Sequence, residues 1–257
     1  MMALIFDSHA QYDADAFDED REAVLSALPE QGVCCVINCA TDPTSSARSL
    51  QMAEQFPHVR VAVGIHPEAI NRAQEGWIEE LRCLAKHPAV CAIGEIGLDY
   101  YWEENASREV QLNWCRRQIE LAQELSLPVI LHDREAHEDT LRLLQEYRPK
   151  GVVHCFSGSV EMMRQVVELG LYIGLGGAVT FKNARRPVEV AAEIPLDRLL
   201  LETDAPYMAP VPCRGHRCDS SMITHTAARI AQIRGMDTDA LLDVTRQNAN
   251  SLFSLCL

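Results

Sequence analysis

Residues 128–133 read PVILHD, a proline and three apolar residues followed by a histidine and an aspartate. A run that is apolar on both alternating faces suits a strand covered on both sides, as in a parallel sheet wrapped by helices. The polar pair falls at the C-terminal end of that strand, where α/β folds collect their chemistry. The same pattern recurs along the chain. LIFDSHA (4–10), CCVINCA (34–40), VRVAVGIHP (59–67) and AVCAIGEIGLD (89–99) precede it, and GVVHCFSG (151–158), LYIGLGG (171–177) and LLLETD (199–204) follow. That makes eight strand-like runs in 257 residues.

Helix-period segments lie between them. Leu112, Cys115, Ile119, Ala122 and Leu125 form one buried stripe over 108–125. Residues 160–169 and 189–193 read as shorter helices. Ile223, Ala227 and Ile230 mark a helix over 220–234 that Gly235 closes, and Thr238 reads as the N-cap of a last helix reaching Phe253. Eight strands alternating with helices predict a (β/α)8 TIM barrel, with 1–257 forming a single domain. An open doubly wound sheet is the competitor, and the polar residues decide between them. His9, His66, Glu95, His132, His154 and Asp204 all stand at C-terminal strand ends. A barrel brings those ends to one rim, whereas an open sheet strings them along an edge.

The composition, 47% hydrophobic and 23% charged, is that of an ordinary globular protein. No apolar run approaches the roughly 20 residues of a membrane helix, so no membrane association is expected. The N-terminal stretch lacks the basic region and cleavage site of a signal peptide. Ten cysteines without a CxxC pair suit reduced thiols, and a cytoplasmic location is expected; Cys34, Cys39 and Cys91 read as small core residues. The net charge of −14 argues against a surface that coats nucleic acid. Positive charge is concentrated instead in TFKNARR (180–186) and in the segment 205–218 that holds Arg214 and Arg217. These loops follow strands 7 and 8, a frequent phosphate-binding position in such barrels. No stable protein partner is expected.

A single histidine at a strand end is usually structural. Three histidines and two carboxylates, His9, His132, His154, Glu95 and Asp204, sharing one cup are another matter, because carboxylates brought so close repel unless a cation lies between them. Such a donor set suits Zn²⁺, Mn²⁺ or Fe²⁺, and its carboxylates also suit Mg²⁺. Five ligands suffice for two divalent ions if one carboxylate bridges them. Together with basic loops at the mouth, this predicts metal-dependent hydrolysis of a phosphoester. Other motifs carry less: GLYIGLGG (170–177) is not GxGxxG, Ser157 is not in a GxSxG elbow, and Cys213, His216 and Cys218 lack a second half-site.

In order and spacing, IFDSHAQYD, AVGIHPE, AIGEIGLDYYWE, PVILHDREAHEDT, GVVHCFSGS, YIGLGGAVTFKNA and LLLETDAPYMAPVPCRGHR resemble the TatD family of metal-dependent deoxyribonucleases over roughly residues 3–254. The resemblance implies an amidohydrolase-like TIM barrel that hydrolyses DNA with divalent metal, often from 3′ to 5′ through metal-activated water. It implies His9 as a ligand of one metal, Glu95 as the bridging carboxylate, and His132 and His154 as ligands of the second. It implies that Asp204 ligates metal and takes a proton from the attacking water, and that His66 lies near the scissile phosphate. Arg134 joins Arg214 and Arg217 as an expected phosphate contact, while Glu202 reads as off the Asp204 face and outside the site. Two departures stand out. Gln11 occupies the place of the family's second strand-1 histidine, and Cys218, Asp219 and Ser220 follow Arg217 where an Asn-Glu-Pro run is usual. An amide oxygen is a poor Zn²⁺ ligand and an acceptable one for Mg²⁺, so an asymmetric pair with a weaker site at His9 and Gln11 is expected. Cleavage of a carboxylic ester or amide, as by an aminoacyl-tRNA deacylase, is the alternative activity, and a catalytically weakened metal-binding protein is the second alternative.

Overall fold

The apolar runs become eight parallel strands in the computed structural model, which describes residues 4–257. They are β1 (Ile5–Ala10), β2 (Val33–Cys39), β3 (Val59–Val63), β4 (Val90–Asp99), β5 (Val129–Arg134), β6 (Gly151–Val153), β7 (Tyr172–Leu175) and β8 (Leu199–Leu201). Each pairs with its sequence neighbour, in the order β1 to β8. The seam between β1 and β8 is closed by a parallel bridge of Ala10 with Ala205. Gln11 N donates to Ala205 O (2.7 Å) and Asp204 N to His9 O (2.9 Å). The expected TIM barrel is therefore present.

The helices are α1 (Arg21–Ala27), α2 (Pro43–Gln55), α3 (Trp77–Leu84), α4 (Arg108–Leu125), α5 (His137–Tyr147), α6 (Val160–Glu168), α7 (Arg185–Glu193), α8 (Ile223–Arg234) and α9 (Thr238–Phe253). Two apolar layers follow from the alternation of strand side chains. Phe6, Cys35, Ile37, Cys39, Cys91, Ile130, Val152 and Leu200 fill the lumen, and Phe253 of α9 stacks on Phe6 at 6.2 Å between ring centroids. The larger layer lies between sheet and helices. Cys39 and Cys91 are core residues as expected, whereas Cys34 is half-buried and Cys35 takes the lumen position.

Several boundaries move. The strands expected over 151–158, 171–177 and 199–204 hold three, four and three residues. Backbone hydrogen bonds continue past those points, from His154 N to Leu131 O (3.0 Å) and from Glu202 N to Leu175 O (3.3 Å), so the polar residues stand just beyond the regular pairing. Asp237, not Thr238, caps α9: its side chain accepts from Ala240 N, and Thr238 is the first helical residue. Gly235 does close α8, at φ 63°. Helices α1, α2, α3 and α5 lie outside the expected set.

Candidate metal centre

Glu95 is the middle of the site. It points from β4 to the mouth of the lumen and is almost wholly buried. Its Oε1 lies 2.9 Å from His132 Nδ1 on β5 and 2.7 Å from His154 Nε2 just past β6, and those two nitrogens are 3.4 Å apart. Its other oxygen, Oε2, lies 3.2 Å from His9 Nε2 on β1, which is 3.7 Å from Asp204 Oδ1 past β8. Gln11 turns its amide Nε2 to the same Oε2 at 3.1 Å. The rings of His9 and His154 stack at 3.8 Å. The two oxygens of one carboxylate thus serve different donors, His132 and His154 on Oε1 and His9 on Oε2, with Asp204 beyond His9.

The proton positions sharpen this. His132 Nε2 lies 3.0 Å from Asp99 Oδ2 and its Nδ1 2.9 Å from Glu95 Oε1, so the free ring is charged; with a cation on the Glu95 side its remaining proton would face Asp99 and its Nδ1 lone pair the cation. His66 is the reverse case. It stands three residues beyond β3, where Glu68 N donates to its Nδ1 (3.2 Å), so the proton sits on Nε2, 3.4 Å from Glu95 Oε1. His66, Glu95 and His132 have ligand atoms within 4.8 Å of one another, as do His9, Glu95 and His154.

Two residues outside the expected set support the ligands. Asp99 orients His132 and lies four residues after Glu95, on the same face of the strand. The alternation of a strand could have found it. Glu202 corrects the expectation that it lies outside the site. With Leu200 and Glu202 both turned into the lumen, it sits beneath His154, with Oε1 3.8 Å from His154 Nδ1 and accepting from Cys155 N. Gly174 makes room for it, since a Cβ there would come within 2.3 Å of Glu202 Oε2. Gly97, at φ 140°, does the same for β5; a Cβ would meet the His132 carbonyl oxygen at 2.1 Å.

Electrostatics follow from these contacts. Burial alone would raise Glu95, but His154, His66, His9 and His132 together hold it well below the usual carboxylate range. Burial raises Glu202 well above that range, and nearby Asp204, Asp7 and Glu95 push the same way. Burial also lifts Asp204, to about 6, with Glu95 adding to the effect and His154 opposing it. His132 resists burial and rises to about 10 through Asp99 and Glu95. Burial and the neighbouring His9 lower His154.

The basic residues divide. Arg134 lies on the rim with its guanidinium 4.0 Å above the Tyr101 ring and 5.2 Å from Trp102. Arg214 stacks on Phe181 at 4.0 Å, joining the two basic loops, and donates to Ala209 O (3.2 Å). Arg217 is a correction. Its guanidinium forms a bidentate pair with Asp20 (2.8 and 2.6 Å), donates to Ala16 O and covers Phe17, so it ties the β8 loop to the β1 loop instead of facing the cup.

The donor set fits cations. Both nitrogens of His9, His154 Nδ1 and Glu202 Oε2 are buried without a hydrogen-bond partner, and orphaned donors of this kind are costly unless something charged completes them. Among the described residues no helix is long and apolar enough to cross a membrane.

Comparison with known proteins agrees with this fold. A family model described as TatD related DNase matches residues 6–254. The chain is 38% identical to the uncharacterized metal-dependent hydrolase YabD of Bacillus subtilis, covering 98% of this chain and all of that one. It is 34% identical to a protein of Erwinia tasmaniensis named 3'-5' ssDNA/RNA exonuclease TatD, with 98% and 100% covered. The crystal structure of YjjV, a TatD homologue of Escherichia coli, superposes over the full length of both chains with a TM-score of 0.93 at 32% identity.

Proposed function

The chain belongs to the TatD family of metal-dependent hydrolases, and on that premise we propose that it is a divalent-metal-dependent phosphodiester hydrolase that shortens DNA from its 3′ end. The observation that carries this reading is the gathering of His9, His132, His154 and Asp204 around Glu95. His132, His154 and Glu95 would hold one ion, and His9, Glu95 and Asp204 the other, with Gln11 as a weak neighbour. Divalent cations held there supply Lewis-acid polarisation of a phosphoryl oxygen and a more acidic water. The Erwinia relative's name, 3'-5' ssDNA/RNA exonuclease, supports the substrate.

The chain's own groups then take defined parts. Asp204, beside His9 at the end of β8, accepts a proton from the attacking water. His66, protonated on Nε2 beside Glu95, donates to a phosphoryl oxygen. Arg134 and Arg214 meet phosphate at the mouth. The test is protein stripped of metal, reloaded with Mg²⁺, Mn²⁺ or Zn²⁺, and given end-labelled single-stranded DNA and charged tRNA. Stepwise loss from the 3′ end is expected. Deacylation of tRNA with intact DNA, or no turnover of either with metal bound, overturns the reading.

A further inference from the structure

The exposed aromatics of this protein are not scattered. Tyr101 (51% exposed), Trp102 (41%) and Tyr207 (58%) are the large aromatic side chains that stand open among the described residues, and all three occupy loops at the mouth of the barrel. Tyr101 and Trp102 follow β4 and meet edge to face at 4.8 Å, with the Arg134 guanidinium spread over both. Both loops are fixed to the metal centre through the backbone. Tyr101 N donates to Asp99 Oδ1 (3.0 Å), the carboxylate whose other oxygen holds His132. Tyr207 N donates to Asp204 O (2.8 Å). Asn105 pins the first loop further, its backbone N donating to Trp102 O and its amide to Asp99 O.

Aromatic surface left in water beside a rim of charge marks a contact site. A guanidinium laid on aromatic rings is the arrangement that stacks nucleobases, which present an uncovered face only where they are unpaired. Charge makes the same point from the other side. A chain of net −14 draws little affinity from phosphate alone, so a substrate with a polyanionic backbone needs a second source of binding.

We propose that Tyr101, Trp102 and Arg134 form a stacking platform for an unpaired base beside the scissile phosphodiester, with Tyr207 as a second stacking point on the β8 side. The platform makes the enzyme read single-stranded ends by base stacking and not by sequence. This rests on the nuclease reading, from which it can be separated by experiment.

The test compares kcat/KM of the Mn²⁺-loaded protein on a 3′ single-stranded DNA tail and on the same tail with abasic sites in its last positions. Wild type is expected to lose roughly 10- to 100-fold on the abasic tail. The double variant Tyr101→Ala with Trp102→Ala loses a similar factor on the normal tail, mainly through KM, and then little more on the abasic one. Tyr101→Phe and Trp102→Phe, which keep the ring faces, stay close to wild type. An RNA tail gives the same pattern, because stacking does not read the 2′-hydroxyl. The platform is overturned if wild type cleaves normal and abasic tails equally, or if the double alanine variant matches wild type on the normal tail; the aromatic surface then belongs to a protein partner. Failure of wild type to cleave any of these tails with metal bound overturns the nuclease reading and the platform with it.

Discussion

Glu95 and Glu202 are buried to the same degree, each about 1% exposed, and stand on either side of His154. Burial pushes both carboxyls towards the neutral form, yet they end in opposite states. Glu95 meets four imidazoles and stays ionised. Glu202, one layer down, has a single backbone N–H, a histidine nitrogen at 3.8 Å and three acids nearby, and it stays protonated. Partners, not depth, set the charge of a carboxylate in this barrel. The upper layer is thus a place for cations, and the layer below it a neutral floor that orients a ligand.

The contrast breaks most visibly with isosteric amides. Glu95→Gln removes the charge at the centre of the cluster, and is expected to abolish metal retention and lower kcat by roughly 10³-fold or more. Glu202→Gln replaces a neutral acid by a neutral amide of the same shape and keeps its metal. Only Glu202→Ala, which empties the floor, reaches the roughly 10- to 100-fold loss in metal affinity of a missing outer partner. Metal content by mass spectrometry and kcat measured on the same preparations check all three. Equal losses in the two glutamine variants would erase the distinction.

Stability of the metal-free protein sharpens the same comparison. Glu202 lies above its ordinary 4.5, so its contribution is fully present below pH 4.5 and fades as pH rises through its folded value. Glu95 lies below 4.5, so its contribution is present above that pH and fades as pH falls through its folded value. Urea unfolding of wild type, Glu95→Gln and Glu202→Gln is expected to give difference curves of opposite slope, read below about pH 4.5 for Glu95 and above it for Glu202. Slopes of the same sign refute the assignment of charge.

The strands were legible because six of the eight apolar runs end in a residue that cannot remain in a core, so the C-terminal rim could be read directly. Helix α2 was not, because its inner face carries Ser46 and Ser49 beside Leu50 and Met52; Ser49 is satisfied by Asn38 and the Ser45 carbonyl, and the apolar period is broken. Asp237 and Thr238 are both capping residues, and only the backbone angles choose between them. Asp99 and Glu202 were readable from strand alternation but carry no motif of their own. Arg217 was not readable at all, since its partner Asp20 lies 197 residues away in sequence.

Gln11 tests the upper layer from its weaker side. Its amide donates to Glu95 Oε2 where an imidazole would offer a lone pair. Gln11→His is expected to tighten a second transition-metal ion by about tenfold and leave the first unchanged, as read by Zn²⁺ titration. Two equally tight Zn²⁺ sites in the unmodified protein contradict this.

The smallest effect belongs to Arg217, and it separates a phosphate contact from a structural tie. Its guanidinium is saturated by Asp20, Ala16 and the Phe17 ring at the protein surface, and exposed ion pairs contribute little. Arg217→Ala is therefore expected to shift the melting temperature only slightly and to hold KM for DNA within about threefold. Arg214→Ala, whose side chain joins the two basic loops beside the mouth, raises KM further. A larger KM effect from Arg217 than from Arg214 would mean that the Asp20 pair opens when substrate arrives, and that the β8 loop swings its charge into the cup.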